Sequence, residues 1–277
     1  MLGAYSTPYK SYMRDRTHNL KLATDILNET VVMPGERFSL NEVIGPRLTE
    51  RGYRDAPIFV DGEVEPSTGG GVCQVATTTY NAALLANLRI AERHHHSRPV
   101  DYAPTGRDAT VYWGQYDLKF VNSLGHPILI LAHLADSRVH VKILGSRDDD
   151  YEVELYRTGL SRIPHERKEV PDPELEVGKT KVEKPGRDGW RVTVHRRVER
   201  NGEVVKDERM HTDYYAPQTG IVHNGAKPPE VVPPVEGAPG QVPPPMGVPG
   251  PPTAPPTSGG PPASEGPPAS GTPPTSG

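Results

Sequence analysis

The residue types in this 277-residue chain that are best suited to covalent chemistry are one cysteine and a nearby group of histidines. Cys73 is the only cysteine, and it follows a run of three glycines, 69–71, at the predicted start of a helix. A single thiol cannot form an internal disulfide. The first turn of a helix has unpaired N–H groups and a partial positive charge, which stabilise a thiolate and lower its pKa below the usual value of roughly 8.5. The position therefore favours a nucleophile.

Packing is the alternative role for this cysteine. Free cysteine is among the most buried residue types and behaves as a small hydrophobe. The helix continues from Cys73 with side chains that could form a core face at helical spacing: Ala76, Tyr80, Ala83 and Leu84. The cysteine and its flanking residues by themselves leave both roles open.

Three adjacent histidines, His94–His96, follow the predicted helix and offer the thiol a candidate base. Adjacent side chains on extended backbone point in different directions, and zinc sites need further spaced Cys or His ligands. The histidines therefore predict no metal site, and no cofactor is expected. A Cys–His pair instead forms a thiolate–imidazolium couple that attacks a carbonyl carbon. A polar surface run without a role in chemistry is the alternative.

A third group is expected to hold the imidazole in its correct tautomer. Asp108 is the first candidate, and Asp101 and Asp117 are its rivals. The backbone N–H groups of Cys73 and Gln74 are candidates for binding a developing oxyanion. Because sequence spacing does not establish contacts, the geometry of this triad is a hypothesis.

Several further residues are candidates for substrate binding. Gly70 and Gly71 would let another backbone or an extended substrate approach closely, and Gln74 directly follows Cys73. Arg107 has a planar guanidinium that can bind a substrate carboxylate through two hydrogen bonds. A group further upstream could line a groove or could simply fix a loop: Asn41, Arg47 and Tyr53.

The elements that must position these residues indicate an α+β domain over 1–147. One helix is predicted over 12–28, with Asp15 or Thr17 as its N-cap, and a second runs from the glycines to about Leu88. A hairpin is predicted over 56–64 around the turn Asp61-Gly62. Short antiparallel strands are predicted from alternating or apolar runs bounded by turn residues: 37–43, 109–113, 117–121, 127–134 and 138–144.

A second, smaller unit is predicted over 148–225. Alternating residues over 190–199 and 203–210 flank Asn201-Gly202, a strong type I′ hairpin signal, and no helical period occurs. The unit is therefore expected to be all-β. The remaining residues, 226–277, are rich in Pro, Gly, Ser and Thr and lack apolar periodicity, which predicts a disordered spacer.

Composition argues against several classes of function. The net charge is −4 with both signs interspersed, and no basic stripe indicates a nucleic-acid partner. The sequence contains no apolar run of about 18 residues, so no membrane-spanning helix is predicted. The N-terminus lacks the basic and apolar regions of an export signal, so we expect either a cytosolic protein or a chain whose leader lies upstream.

A series of short motifs runs through residues 5–145 in a fixed order. They are Pro34-Gly35-Glu36, Gly45-Pro46-Arg47, Arg51-Gly52-Tyr53, the run from Gly69 to Gln74, Glu92-Arg93, His96-Ser97, Pro99-Val100 and Gly106-Arg107-Asp108-Ala109-Thr110-Val111. In type and order these motifs resemble the VanW domain. The following segment resembles a G5 domain through the hairpin 190–210 and its glycines: Gly178, Gly186, Gly189 and Gly220.

The resemblance carries expectations about function. VanW-domain proteins are typically cell-envelope proteins of Gram-positive-type bacteria, and some members act as L,D-transpeptidases through the cysteine of this motif. The resemblance implies that Cys73 is this nucleophile and that His96, the histidine before serine, is its partner. Asp108 matches the aspartate before Ala-Thr-Val. G5 domains are associated with polymers that contain N-acetylglucosamine, so the implied partners are peptidoglycan stem peptides and glycan.

The resemblance thus predicts an extracytoplasmic protein of the cell wall or cell surface, although the membrane anchor that many relatives carry upstream is absent from this chain. The predicted activity is that of a cysteine L,D-transpeptidase, which forms 3-3 cross-links through a thioester on Cys73. Two alternatives are an L,D-carboxypeptidase, with water as acceptor at the same site, and a non-catalytic peptidoglycan-binding protein.

Overall fold

Two helices packed against an antiparallel sheet form the first part of the fold. The computed structural model describes residues 1–60, 63–149 and 151–227. The helices α1 (Arg14–Leu27) and α3 (Val72–Leu85) contact a four-stranded sheet of order β1-β9-β8-β2. Its strands are β1 (Gly3–Pro8), β2 (Thr30–Val32), β8 (Ile128–Ala135) and β9 (Arg138–Leu144). The predicted helices and the last two predicted strands of this region are confirmed.

The first helix begins without the predicted side-chain cap. Met13 is its N-cap and makes no side-chain capping hydrogen bond, so the prediction of Asp15 or Thr17 at this position was wrong. Both residues lie inside the helix, where the Asp15 carboxylate is in the first turn and interacts favourably with the helix dipole. The buried face contains Leu20 and Leu27, as the apolar spacing predicts.

The predicted strand 37–43 was wrong in its second half. The strand β3 (Arg37–Ser39) is followed at once by a short helix, α2 (Leu40–Ile44). Ser39 is the N-cap, and its hydroxyl accepts a hydrogen bond from the Glu42 N–H at 3.1 Å. Serine followed three residues later by glutamate is a helix-start signal, and it prevails here over strand propensity.

The predicted strand 109–113 is replaced by isolated bridges, His94 to Thr110 and Tyr112 to Tyr116. The reason lies in α3, since the Thr77 hydroxyl accepts from the Ala109 N–H at 2.9 Å and donates to the Ala109 carbonyl at 3.1 Å. Side chains of the helix thus bond the backbone groups that a neighbouring strand would otherwise use.

The remaining strands of this region form the sheet β3-β7-β6 and the hairpin β4-β5: β4 (Asp55–Val60), β5 (Glu63–Thr68), β6 (Arg89–Glu92) and β7 (Lys119–Val121). The turn Asp61-Gly62 lies outside the described residues.

The second part of the chain is built from two three-stranded sheets. One is antiparallel, with order β10-β13-β14: β10 (Glu152–Ile163), β13 (Gly189–Arg200) and β14 (Glu203–Tyr215). The other has order β11-β15-β12, with β11 and β15 parallel: β11 (Arg167–Glu176), β12 (Thr180–Lys184) and β15 (Gly220–Lys227). Asn201 and Gly202 both have positive φ, 52° and 80°, which confirms the predicted type I′ turn.

The two parts meet at a buried arginine of β13. Arg196 is 2% exposed and donates to the carbonyls of Leu84 and Leu88 at 3.4 and 2.8 Å, at the C-terminal end of α3. The spacer predicted over 226–277 lies outside the described residues apart from its first two, which belong to β15. In the part of the chain that is described, no helix has the length and apolar character to cross a membrane.

Candidate active site

The first turn of α3 positions the candidate nucleophile. Gly71 is the N-cap with φ of 113°, a backbone conformation that favours glycine, and Cys73 follows in the first turn. Cys73 is half-buried. Its sulfur lies 3.4 Å from the Thr110 hydroxyl and 3.5 Å from the Val111 carbonyl oxygen, and the His96 side chain is close enough to act on its pKa. The thiol is thus in contact with polar groups rather than sealed among aliphatic side chains.

His96 connects the thiol to a buried carboxylate. Its Nδ1 lies 2.6 Å from Asp108 Oδ2, and its backbone N–H donates to the same oxygen at 2.8 Å. With Nδ1 bonded to the carboxylate, Nε2 is the ring nitrogen that Asp108 does not occupy. This order of thiol, imidazole and carboxylate is the arrangement by which a nucleophile is activated and its base is oriented.

The electrostatics of the site favour the ionised pair. Burial by itself raises the pKa of the Cys73 thiol, but the hydrogen bond and positive charge of His96, helped by Thr110, lower it to about 6. Burial lowers the pKa of His96, whereas the bonds to Asp108 and Cys73 raise it to about 9. Burial likewise opposes ionisation of Asp108, yet His96 and Arg93 hold its pKa well below the usual value. A thiolate and an imidazolium therefore coexist near neutral pH.

Residues that the sequence analysis missed hold the carboxylate in place. Arg93 Nη2 lies 3.3 Å from Asp108 Oδ1, and its Nη1 donates to Asp213 at 2.7 Å. The Tyr215 hydroxyl donates to the same Asp108 oxygen and accepts from the Gly106 N–H at 3.1 Å. Arg93 is part of a motif noted in the sequence. Asp213 and Tyr215 are at the end of β14, more than 100 residues away, and no sequence signal connects them to the site.

The rivals of His96 and Asp108 have other partners. Asp117 accepts from the Ser39 hydroxyl at 2.6 Å, and Asp101 is exposed. His94 Nε2 is 3.1 Å from Glu92, and His95 Nδ1 is 2.6 Å from the backbone oxygen of its neighbour. Of the three histidines, His96 is the one that acts on the pKa of the thiol.

Among the predicted substrate-binding residues, the glycines and Gln74 have partners within the fold. A Cβ atom at Gly70 would lie 2.5 Å from the Ala56 carbonyl oxygen, so the close backbone approach predicted for this glycine is made by β4. The Gln74 side chain accepts from Arg16 at 2.9 Å and donates to the Pro8 carbonyl at 2.8 Å. Gly70 and Gln74 thus make contacts within the fold, and their predicted substrate contacts stay predictions.

The two backbone N–H groups predicted to bind an oxyanion, those of Cys73 and Gln74, differ in their surroundings. The Gln74 N–H donates to the Gly71 carbonyl at 2.8 Å, so its assignment as an oxyanion donor was wrong. The Cys73 N–H lies in the first turn of α3, next to the sulfur, and stays the predicted donor. Arg107 donates from Nε to Asn81 at 2.7 Å. Asn81 is two helical turns beyond Cys73, about 12 Å along the axis of α3.

The comparisons with known proteins agree with this organisation. Residues 15–144 match the family described as VanW like protein, and residues 157–227 match the G5 domain. The chain is 41% identical over 165 residues to the uncharacterized protein YoaR of Bacillus subtilis, covering 60% of this chain and 54% of YoaR. It is 29% identical over 133 residues to the vancomycin B-type resistance protein VanW of Enterococcus faecalis, covering 46% and 48% of the two chains. The chain thus spans about half the length of these curated relatives.

Two solved structures of G5 domains are similar to the second part of the chain. The G5 domain of IgA1 protease is 26% identical, with a TM-score of 0.22, and the match covers 28% of this chain and 94% of that domain. The G5 domain of HP0197 is 20% identical, with a TM-score of 0.18, and the match covers 27% of this chain and 99% of that domain.

Proposed function

We propose that this chain, in which a VanW-like domain over residues 15–144 precedes a G5 domain over residues 157–227, is a cysteine-dependent L,D-transpeptidase of peptidoglycan. Both domain families are associated with the cell wall, which makes an extracytoplasmic location and a peptidoglycan partner the expected setting. The observation that carries the proposed activity is the grouping of Cys73, His96 and Asp108: His96 Nδ1 lies 2.6 Å from Asp108 Oδ2, and the imidazole acts to lower the pKa of the Cys73 thiol.

In the first step, the Cys73 thiolate attacks the carbonyl carbon of the L-configured centre of the diamino acid in a tetrapeptide stem. A C–S bond forms, and the negative charge on oxygen is stabilised by the Cys73 N–H at the positive end of α3. The C–N bond to the terminal D-alanine then breaks, and the His96 imidazolium donates its proton to the departing amine. The products are free D-alanine and a thioester on the enzyme.

In the second step, an amine of a neighbouring stem attacks the thioester carbonyl. Neutral His96 accepts the amine proton, the C–S bond breaks, and the thiolate is regenerated while the new amide closes a 3-3 cross-link. Water as acceptor would release the shortened stem instead. Asp108 keeps its charge throughout and orients the imidazole.

Intact-mass spectrometry with a synthetic tetrapeptide donor tests this proposal. We expect an adduct on Cys73 with release of one D-alanine, absent in Cys73→Ala and slowed by roughly 10²–10⁴-fold in His96→Ala. His94→Ala is the matched control, because this neighbouring histidine is bonded to Glu92, and its rate should equal the wild-type rate. A folded protein that pellets with wall sacculi but never acylates would overturn the enzyme and favour a binding protein.

A further inference from the structure

Buried polar atoms without partners are concentrated in the segment 41–53. Within the described residues, Arg47 Nη1 and Nη2, the Tyr53 hydroxyl and Asn41 Oδ1 are buried and make no hydrogen bond. Native proteins pair most buried polar groups, because an unpaired one costs the full desolvation penalty. A guanidinium with both terminal nitrogens unpaired therefore indicates that something outside the protein completes the site.

Two of these residues lie against the glycine run that leads to the nucleophile. A Cβ atom at Gly69 would be 2.6 Å from Arg47 Cβ and 3.8 Å from a ring carbon of Tyr53. Arg47 and Tyr53 thus cover Gly69, four residues before Cys73. Arg47 also interacts electrostatically with both Cys73 and Tyr53. Burial lowers the pKa of Arg47, whereas the Cys73 thiolate and Tyr53 both act to raise it.

We propose that Arg47 and Tyr53 form the subsite for the free C-terminal carboxylate of the donor peptide, next to Cys73. A guanidinium binds a carboxylate through two parallel hydrogen bonds, and a phenol supplies a third donor. Asn41 does not contribute, because its unpaired atom is an acceptor and would repel the anion. This inference rests on the proposed function for the identity of the donor.

The position of the subsite sets the length of donor that it can accept. Consecutive Cα atoms are about 3.8 Å apart, so a carboxylate bound beside the sulfur belongs to the residue directly after the scissile carbonyl. A donor that continues by one more residue places an amide, not an acid, at this guanidinium. The site therefore selects peptides that end one residue beyond the scissile bond. The Arg107 guanidinium does not lie here, because its Nε donates to Asn81, which is about two turns beyond Cys73 on α3.

Alkylation of Cys73 by two reagents of different charge tests the subsite without requiring turnover. Iodoacetate carries a carboxylate and iodoacetamide is its neutral counterpart. We expect Arg47→Gln to lower the ratio of the iodoacetate rate to the iodoacetamide rate by about tenfold, as for the loss of a charge-assisted hydrogen-bonded pair. Arg37→Gln is the matched control, because Arg37 is exposed on β3 and its loss removes the same charge away from Arg47 and Tyr53, and it should leave the ratio unchanged.

A second arm compares acylation by tetrapeptides with free and amidated C-termini. The wild-type protein should be acylated faster by the free acid than by the amide. This preference should disappear in Arg47→Gln and weaken in Tyr53→Phe. Because Tyr53→Phe removes only a hydroxyl, it tests the subsite even if Arg47→Gln does not fold. An unchanged reagent ratio in a folded Arg47→Gln, or equal acylation by both donors in the wild type, would overturn the subsite. If no donor acylates the wild type while the reagent ratio still falls, the anion site is supported and the proposed transpeptidase is wrong.

Discussion

Cys73 and His96 shift each other's pKa in opposite directions, because the charge of each stabilises the charge of the other. The thiolate exists above pH 6 or so, and the imidazolium persists to about pH 9. The pair is therefore in its reactive form between these two values. An unperturbed cysteine would instead ionise near 8.5, where an ordinary histidine is already neutral.

This coupling predicts the pH dependence of both alkylation and acylation. Iodoacetamide should modify Cys73 with a rate that rises with pH and is half-maximal near pH 6, since the thiolate is the nucleophile. In His96→Ala the midpoint should move up towards 8.5, because the stabilising cation is lost. Acylation by an amide donor should also fall above about pH 9, where His96 no longer carries the proton that the leaving amine needs. A wild-type midpoint near 8.5 would contradict the ion pair.

The N-terminal end of α3 is the element on which the site is built. Its preceding glycines bring it against β4, and its side chains hold the segment after Arg107. Thr77 bonds both backbone groups of Ala109, and Asn81 donates to the Arg107 carbonyl at 2.7 Å. One helix thus carries Cys73 and also orients the backbone on either side of Asp108.

Substituting Gly70 by alanine should destabilise the protein rather than alter substrate affinity. The new methyl group would meet the Ala56 carbonyl oxygen at 2.5 Å, and backbone must move to accommodate it. We expect a loss of about 1–3 kcal/mol in the free energy of unfolding, measured by denaturant titration. Gly114→Ala is the control, because it meets nothing within 4 Å at φ of 79° and costs only backbone strain of about 1 kcal/mol. An unchanged stability of Gly70→Ala, with weaker donor binding, would support its predicted substrate role.

At the scale of the whole molecule, the second part of the chain completes the support of the first. Asp213 and Tyr215 belong to β14, inside the G5 match, and they reach Arg93 and Asp108 in the segment that matches the VanW model. Asp108, Asp213 and Tyr215 are each 3% exposed or less. The orientation of the His96 imidazole therefore depends on a strand that is remote in sequence.

Tyr215→Phe tests this dependence by removing a single hydroxyl. Asp108 would lose a donor and the Gly106 N–H its acceptor, so we expect a loss of about 1–3 kcal/mol in stability. The alkylation midpoint of Cys73 should also rise, because the imidazolium is held less firmly, and a purely structural contact would leave that midpoint unmoved. The adjacent Tyr214 is 55% exposed, and Tyr214→Phe should change stability by less than about 0.5 kcal/mol. Equal behaviour of the two variants would show that β14 does not support the site.

Local patterns in the chain were enough to identify the long helices, the hairpin around Asn201-Gly202 and the cysteine at a helix start. Each of these depends on residues within a few positions of one another, through side-chain spacing, turn conformation or helix geometry. The resemblance to known motifs added His96 and Asp108, which spacing alone left among rivals. The strand expected over 109–113 shows the limit, since α3 side chains from elsewhere in the chain bond its backbone.

Only the tertiary structure decided which side chains meet at the site. It chose Asp108 over Asp117, paired the carboxylate with Arg93 and Tyr215, and left the Arg47 guanidinium buried without a partner in the described chain. Such contacts join residues far apart in sequence. Which side chains meet depends on how the helices and strands pack and on which polar groups are buried together. The local order of residue types determines neither the packing nor the burial.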